Sequence, residues 1–213
     1  MPLYKDIAVC EKTRILVWKV TEEIEELQRN NFVKPSNVVR LAGMKSEMHQ
    51  RAFLSVRKLL ATAGYSDADL FYDNNGKPNL HDGKHISITH SHNFAALIIS
   101  DKIVGIDLEW SREKILRIAN KFAATEDHYL KSETVANQIL KLTVIWGVKE
   151  SIFKIRNEPG ISFKDHITVP DFDLDSNKAI GILDFGNLNL TFSIEFEIIE
   201  DFVLVWACNT NES

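Results

Sequence analysis

Residues 103–110 read Ile103-Val104-Gly105-Ile106-Asp107-Leu108-Glu109-Trp110. The run alternates, and successive residues of a strand face opposite sides with a period of two. Val104, Ile106, Leu108 and Trp110 therefore share one face, which reads as a core face. Ile103, Gly105, Asp107 and Glu109 share the other. That second face sets two carboxylates side by side, with Gly105 leaving room beside them. Most alternating D-x-E strands are solvated faces. Two neighbouring like charges repel, however, and a divalent cation relieves the repulsion. Oxygen-only ligands favour Mg²⁺, which takes one or two carboxylates together with substrate phosphates.

Upstream of this strand, residues 13–20 (TRILVWKV) are rich in β-formers and read as another strand. TEEIEELQ follows, a short helix with Thr21 as its N-cap and acids in its first turn. Pro35-Ser36 opens a helical stretch to about Ala63. Phe53, Val56, Leu59 and Leu60 recur in it at helical spacing, and Gly64 closes it. Residues 73–78 (DNNGKP) are turn chemistry, and residues 84–100 read as strand, break, strand. Downstream, helices are expected over 112–131 and 135–156. Strands are expected over 179–185, 188–199 and 202–208, with turns at Asn187 and at Glu200-Asp201. The order strand, helices, strands thus occurs twice. It points to an α+β fold of two similar lobes, residues 1–102 and 103–213, each an antiparallel sheet packed with helices.

The segment from Leu140 to Arg156 is the second informative element. Leu142, Ile145, Val148, Ile152 and Ile155 form a core stripe at helical spacing. A different stripe runs Thr143, Gly147, Glu150, Lys154. Gly147 inside a helix costs roughly 1 kcal/mol relative to Ala, and a close backbone approach is the usual reason for one. Glu150 and Lys154, four apart, are ordinarily a surface ion pair. Here they share two turns with Trp146, Gly147 and Lys149.

The bulk composition bounds the function. With 213 residues the chain buries about 70% of its unfolded surface. A net charge of −5 gives no general attraction for nucleic acid. No run of eighteen apolar residues exists to span a membrane, and the N-terminal MPLYKDIAVCEK carries charges where a signal peptide would be apolar. Two cysteines, Cys10 and Cys208, make no disulfide framework and read as buried thiols. The reading is a cytoplasmic protein.

Gly105-Ile106-Asp107-Leu108-Glu109, followed by Trp146-Gly147-Val148-Lys149-Glu150-Ser151-Ile152-Phe153-Lys154, resembles the paired signature of the phosphopantetheinyl transferase superfamily. Gly76-Lys77-Pro78 is similar to the family's G-K-P turn, and Ile88-Thr89-His90-Ser91 to its I-S-H-S strand end. Order and spacing resemble the longer, single-chain surfactin type. The resemblance implies a monomeric pseudo-dimer of two α+β lobes. It implies transfer of 4′-phosphopantetheine from coenzyme A to a serine of an apo acyl or peptidyl carrier protein, of holo-[acyl-carrier-protein] synthase type. Position by position, it makes Asp107, Glu109 and Glu150 the Mg²⁺-binding acids. Lys154 becomes the lysine approaching the phosphates and His90 the histidine contacting them. Lys77, with Gly76, Pro78 and Thr89 beside it, falls in the coenzyme A pocket, and Arg51 at a basic contact to the nucleotide. Phe122 and Glu126 lie in a family-like K-x-F…E stretch. The sequence departs from the family before the 45–60 helix, where residues 34–45 offer Lys34, Arg40 and Lys45 alone.

The chemistry suits these groups. Charge spreads over the phosphoryl oxygens, so positioning and electrostatics carry the catalysis. Glu150, or a metal-bound water polarised by it, is the candidate base for the serine hydroxyl. The competing readings are another metal-dependent phosphotransferase or phosphohydrolase on the same acids, and a non-catalytic module that binds coenzyme A or a carrier. The histidines His81, His85, His90 and His92 could alternatively hold zinc, though exposed turn and strand histidines are the commoner case. For carrier docking, Lys114, Arg117 and Lys121 fall on one face of the expected 112–131 helix, beside Arg112.

Overall fold

The computed structural model describes residues 3–209; the outermost ends of the two expected lobes, residues 1–2 and 210–213, lie outside the described residues. The chain divides into two compact units, one up to Asp101 and one from Lys102 onward.

The N-terminal unit begins with β1 (Leu3–Cys10) and β2 (Thr13–Lys19), then α1 (Ile24–Gln28), α2 (Pro35–Ala42) and α3 (Glu47–Thr62). It ends with β3 (Leu70–Tyr72), β4 (Pro78–Leu80), β5 (His85–Ser91) and β6 (Phe94–Ser100). The six strands form one antiparallel sheet in the order β1-β2-β6-β5-β4-β3. Leu54, Leu59 and Leu60 of α3 pack with Leu16 of β2 and Leu97 of β6 in its core.

The C-terminal unit opens with β7 (Val104–Trp110), followed by α4 (Lys114–Ile118), α5 (Asp127–Leu130), α6 (Val135–Arg156) and α7 (Phe163–His166). The strands β8 (Ile167–Thr168), β9 (Lys178–Phe185), β10 (Leu188–Ile199) and β11 (Phe202–Asn209) complete it. This antiparallel sheet runs β7-β11-β10-β9-β8. Val148 and Ile152 of α6 pack with Phe192, Ile194 and Val205 of the sheet. With β1 set aside, the two sheets share one strand order. In each, the unit's first strand pairs with its last, the rest follow in descending order, and the helices fall between the first and second strands. The α+β fold with two helix-packed antiparallel sheets is thus the one expected.

Several boundaries differ from the expected ones. β1 was not anticipated in the charged N-terminal segment. The stretch 35–63 is two helices, because Gly43 ends α2 and Ser46 starts α3 by accepting a hydrogen bond from His49 N. The stretch 112–131 is also broken: α4 passes into a 3₁₀ turn at Ala119–Lys121, and α5 starts only at Asp127. Between them the buried Glu126 carboxylate accepts Ala124 N and Val169 N, satisfying backbone donors that a continuous helix would not leave over. α6 matches its expected bounds. Thr134 caps its start and Asn157, at φ 48°, ends it in the left-handed conformation.

Candidate active site

Both faces of β7 are buried along most of its length: Val104, Gly105, Ile106, Asp107 and Leu108 are all buried. Val104, Ile106 and Leu108 are buried as expected of a core face, and the acid-bearing face is buried as well, because α6 covers it. Two glycines permit the approach. A Cβ on Gly105 would lie 2.1 Å from the Ser151 carbonyl oxygen of α6, and one on Gly147 would lie 2.6 Å from Val205 Cγ2. The helical glycine therefore stands where the helix backbone meets the sheet, and the same Cβ position lies 3.8 Å from Asp107 Oδ2.

This packing brings Asp107, Glu109, Glu150 and Lys154 together. Asp107 is only 4% exposed. Lys154 Nζ donates to Asp107 Oδ1 at 2.7 Å and to the Ile106 carbonyl at 2.9 Å. Its ion-pair partner is thus Asp107, not Glu150, and the lysine expected at a phosphate neutralises a carboxylate. Burial and the neighbouring Asp107 push Glu150 up to about 7, Lys154 pulling the other way. Burial first, then Asp107, pushes Glu109 up to about 7 as well; Glu150 adds to this, while the Trp146 indole N–H donated to Glu109 opposes it. Among the described residues, no three His, Cys, Asp or Glu side chains are already gathered as a metal cage. The donor set nonetheless fits a hard cation. The acids are oxygen-only, half-buried or buried, and so close in charge that ionising all of them is resisted; a divalent cation removes that resistance.

Behind these acids lies a pair that the motif concealed. Lys149 is fully buried and pairs with the equally buried Glu126 at 2.7 Å. Its ammonium also donates to the Phe122 carbonyl at 2.7 Å and the Phe163 carbonyl at 3.0 Å. The K-x-F…E stretch therefore serves as an anchor. The signal was present in the sequence, since Lys149 lies among the buried Ile145, Val148 and Ile152 of the core stripe.

The remaining expected site residues lie in the N-terminal unit. Arg51 is half-buried on α3, and its Nε is inaccessible with no hydrogen-bond partner. Thr89 is buried on β5, with His90 exposed beside it. Gly76 takes φ +80° in the β3–β4 turn, Lys77 N donates to Asp73 Oδ1 at 2.9 Å, and Pro78 starts β4. Arg40, His49, Phe53, Arg57, Tyr72 and His90 line a cavity of about 270 Å³. Sequence reading missed Arg57, which pairs with buried Asp67 at 3.0 Å. Asp67 also accepts Lys34 N and the Asn37 side chain. Lys34 Nζ donates to the Leu70 carbonyl, so this cation serves the fold.

Other expectations change. His81 stacks on Phe71 and His92 sits in a turn at φ 49°. Cys10 is exposed rather than buried, and neither cysteine forms a disulfide. Lys114, Arg117 and Lys121 are exposed, but the break after Ile118 removes the single helical face they were expected to share. No helix among the described residues is long and apolar enough to cross a membrane.

Known proteins match the acid-bearing unit. Residues 103–206 match the family model of the 4′-phosphopantetheinyl transferase superfamily. The 4′-phosphopantetheinyl transferase gsp of Aneurinibacillus migulanus is 30% identical over 105 residues, 49% of this chain and 42% of that protein. The chain thus spans less than half the length of the curated relative it matches. Residues 103–206, which hold β7, α6 and the clustered acids, are thus similar to the 4′-phosphopantetheinyl transferase superfamily over just under half of the chain.

Proposed function

We propose that the protein moves the 4′-phosphopantetheine arm of coenzyme A onto a serine of an apo acyl or peptidyl carrier protein, with Mg²⁺, releasing adenosine 3′,5′-bisphosphate. The observation that carries this reading is the gathering of Asp107, Glu109, Glu150 and Lys154 between β7 and α6, inside the matched region. A cytoplasmic monomer of holo-[acyl-carrier-protein] synthase type goes with it.

Asp107, Glu109 and Glu150 would hold the cation, which when bound supplies positive charge to the donor's diphosphate. Lys154, already fixed over Asp107, keeps a second positive charge at the site for the phosphoryl oxygens. The serine oxygen forms a bond to the phosphorus next to pantetheine. The bond from that phosphorus to the bridging oxygen breaks, and adenosine 3′,5′-bisphosphate leaves with the electron pair. The serine proton passes to Glu150, or to a water that Glu150 polarises, as the base. In the N-terminal unit, Arg51, Gly76, Lys77, Pro78, Thr89 and His90 are assigned to binding coenzyme A.

The test follows release of adenosine 3′,5′-bisphosphate from coenzyme A and Mg²⁺, with and without apo carrier protein. Release that requires the carrier supports transfer. Equal release without any acceptor protein would replace this reading with a phosphohydrolase.

A further inference from the structure

α2 buries two side chains, Asn37 and Leu41, four apart on one face. A polar Asn37 therefore stands where a core stripe would place an apolar residue, and Asp67 answers it. The Asp67 carboxylate is 1% exposed. It accepts Asn37 Nδ2 at 2.9 and 2.8 Å, the Lys34 backbone N–H at 3.0 Å and Arg57 Nε at 3.0 Å. One buried acid thus ties the start of α2 to α3. Arg57 is 3% exposed and donates Nη1 to the Phe53 carbonyl at 3.1 Å. Its Nη2 is inaccessible and has no acceptor among the described residues. A buried N–H group left without an acceptor is costly, so a ligand that supplies one is favoured.

Arg57 lines the cavity of about 270 Å³ in this unit, together with Arg40, His49, Tyr72 and His90. Arg40 lies three residues after Asn37, on the neighbouring position of the same helix face, so what seats Asn37 also seats Arg40. The Phe53 ring carries Arg57 Cζ at 3.4 Å and Arg40 Cζ at 5.6 Å, and the Tyr72 ring carries Arg40 Cζ at 5.7 Å. The His49 and His90 rings lie 6.0 Å apart. Among the described residues no Asp or Glu lines the cavity. Two guanidinium groups gathered on one ring, with a donor left over and no acid beside them, suit a phosphate, whose oxygens match the guanidinium fork.

We infer that Asp67 is a positioning residue for coenzyme A: by tying α2 to α3 and orienting Arg57, it holds Arg40 and Arg57 at one cavity, where they take a phosphate of the donor. The inference rests on the reading of the N-terminal unit as the one that binds coenzyme A.

The experiment titrates the full chain with coenzyme A by isothermal calorimetry, with melting temperature and turnover at saturating coenzyme A measured in parallel. Arg40→Gln leaves the Asp67 network intact. It should weaken binding about tenfold and melt like wild type. Asp67→Asn should weaken binding by at least as much, since it loosens both guanidinium groups, and should leave saturated turnover near wild type. Asn37→Ala is the milder cut, because Arg57 stays paired. It should weaken binding by a smaller factor than Arg40→Gln and cost nothing further in an Arg40→Gln background, its effect running through Arg40. Titration with dephospho-coenzyme A locates the phosphate. If Arg40→Gln costs nothing with that ligand, the cavity takes the ribose phosphate; an equal loss assigns it to the diphosphate. Asp67→Asn and Asn37→Ala proteins that melt lower yet bind coenzyme A like wild type would reduce the network to a structural role and overturn the inference. Wild-type protein that binds no coenzyme A overturns the reading beneath it as well.

Discussion

The two units use one strand order for different ends, and β2 against β7 shows how. With β1 set aside, each is its unit's first strand, and each pairs with the last strand beneath the unit's longest helix. β2 reads TRILVWK and its helix α3 reads EMHQRAFLSVRKLLAT, with no glycine in either and no carboxylate on β2. β7 reads VGIDLEW and α6 carries Gly147 and Glu150. The glycine in each element of the second pair removes the Cβ atoms that would hold the helix off the sheet. The difference teaches that acid chemistry on this topology needs two changes together: carboxylates on the first strand and a helix able to come down on them. Each unit also buries a long-helix cation on a fully buried acid, Arg57 on Asp67 and Lys149 on Glu126.

Breaking the acid cluster should have the largest effect. Asp107→Asn and Glu150→Gln should each lower the rate of arm transfer on the order of 100-fold in steady-state assays, with circular dichroism unchanged. Asn37→Ala, in the N-terminal unit's Asp67 network, should leave the chemical step alone and alter stability instead.

The shared buried cations should fail alike. Lys149→Met leaves Glu126 buried without its partner, and Arg57→Met does the same to Asp67. Each should cost about 3–5 kcal/mol in chemical denaturation. Adding Glu126→Gln to Lys149→Met should recover part of the loss, because the uncompensated charge goes with it.

The glycines should sharpen the contrast. Gly105→Ala drives a methyl into the Ser151 backbone and should cost about 1–3 kcal/mol or more. Gly147→Ala meets the Val205 side chain rather than backbone and gains about 1 kcal/mol of helix propensity, so its net loss should be smaller.

A smaller effect follows from the raised acids. Glu109 and Glu150 titrate near 7 in the folded protein against 4.5 when unperturbed. A raised folded value contributes stability that is present below the unfolded value and lost as pH rises through the folded one. Metal-free protein should therefore melt a few degrees lower at pH 8 than at pH 5.5 on account of these groups. Mg²⁺ should restore the difference at pH 8 and do little at pH 5.5; scanning calorimetry at the two values checks both.

Legibility followed how local each signal was. α6 could be bounded from sequence because its core stripe and its Thr134 and Asn157 termini lie within the helix itself. The run 112–131 could not, because what unwinds it is a carboxylate, Glu126, whose partners Val169 and Lys149 are distant in sequence. The acids were found because alternation sets Asp107 and Glu109 on one face. That a helix also buries the acid-bearing face could not be read, since a strand buried on both sides has no polar face for periodicity to mark. Lys154 was paired with Glu150 by helical spacing, whereas its carboxylate contact is Asp107, on another element.

The central claim is that this chain transfers the arm of coenzyme A, and that the acids of the C-terminal unit do so with a divalent cation. Intact-mass analysis tests it most directly. Wild-type protein and coenzyme A are incubated with each of several apo carrier proteins, once in Mg²⁺ and once in excess chelator. The account predicts that at least one carrier gains the mass of a single phosphopantetheine arm in Mg²⁺ and none does in chelator. Equal gain in both conditions, or no gain on any carrier, would contradict it.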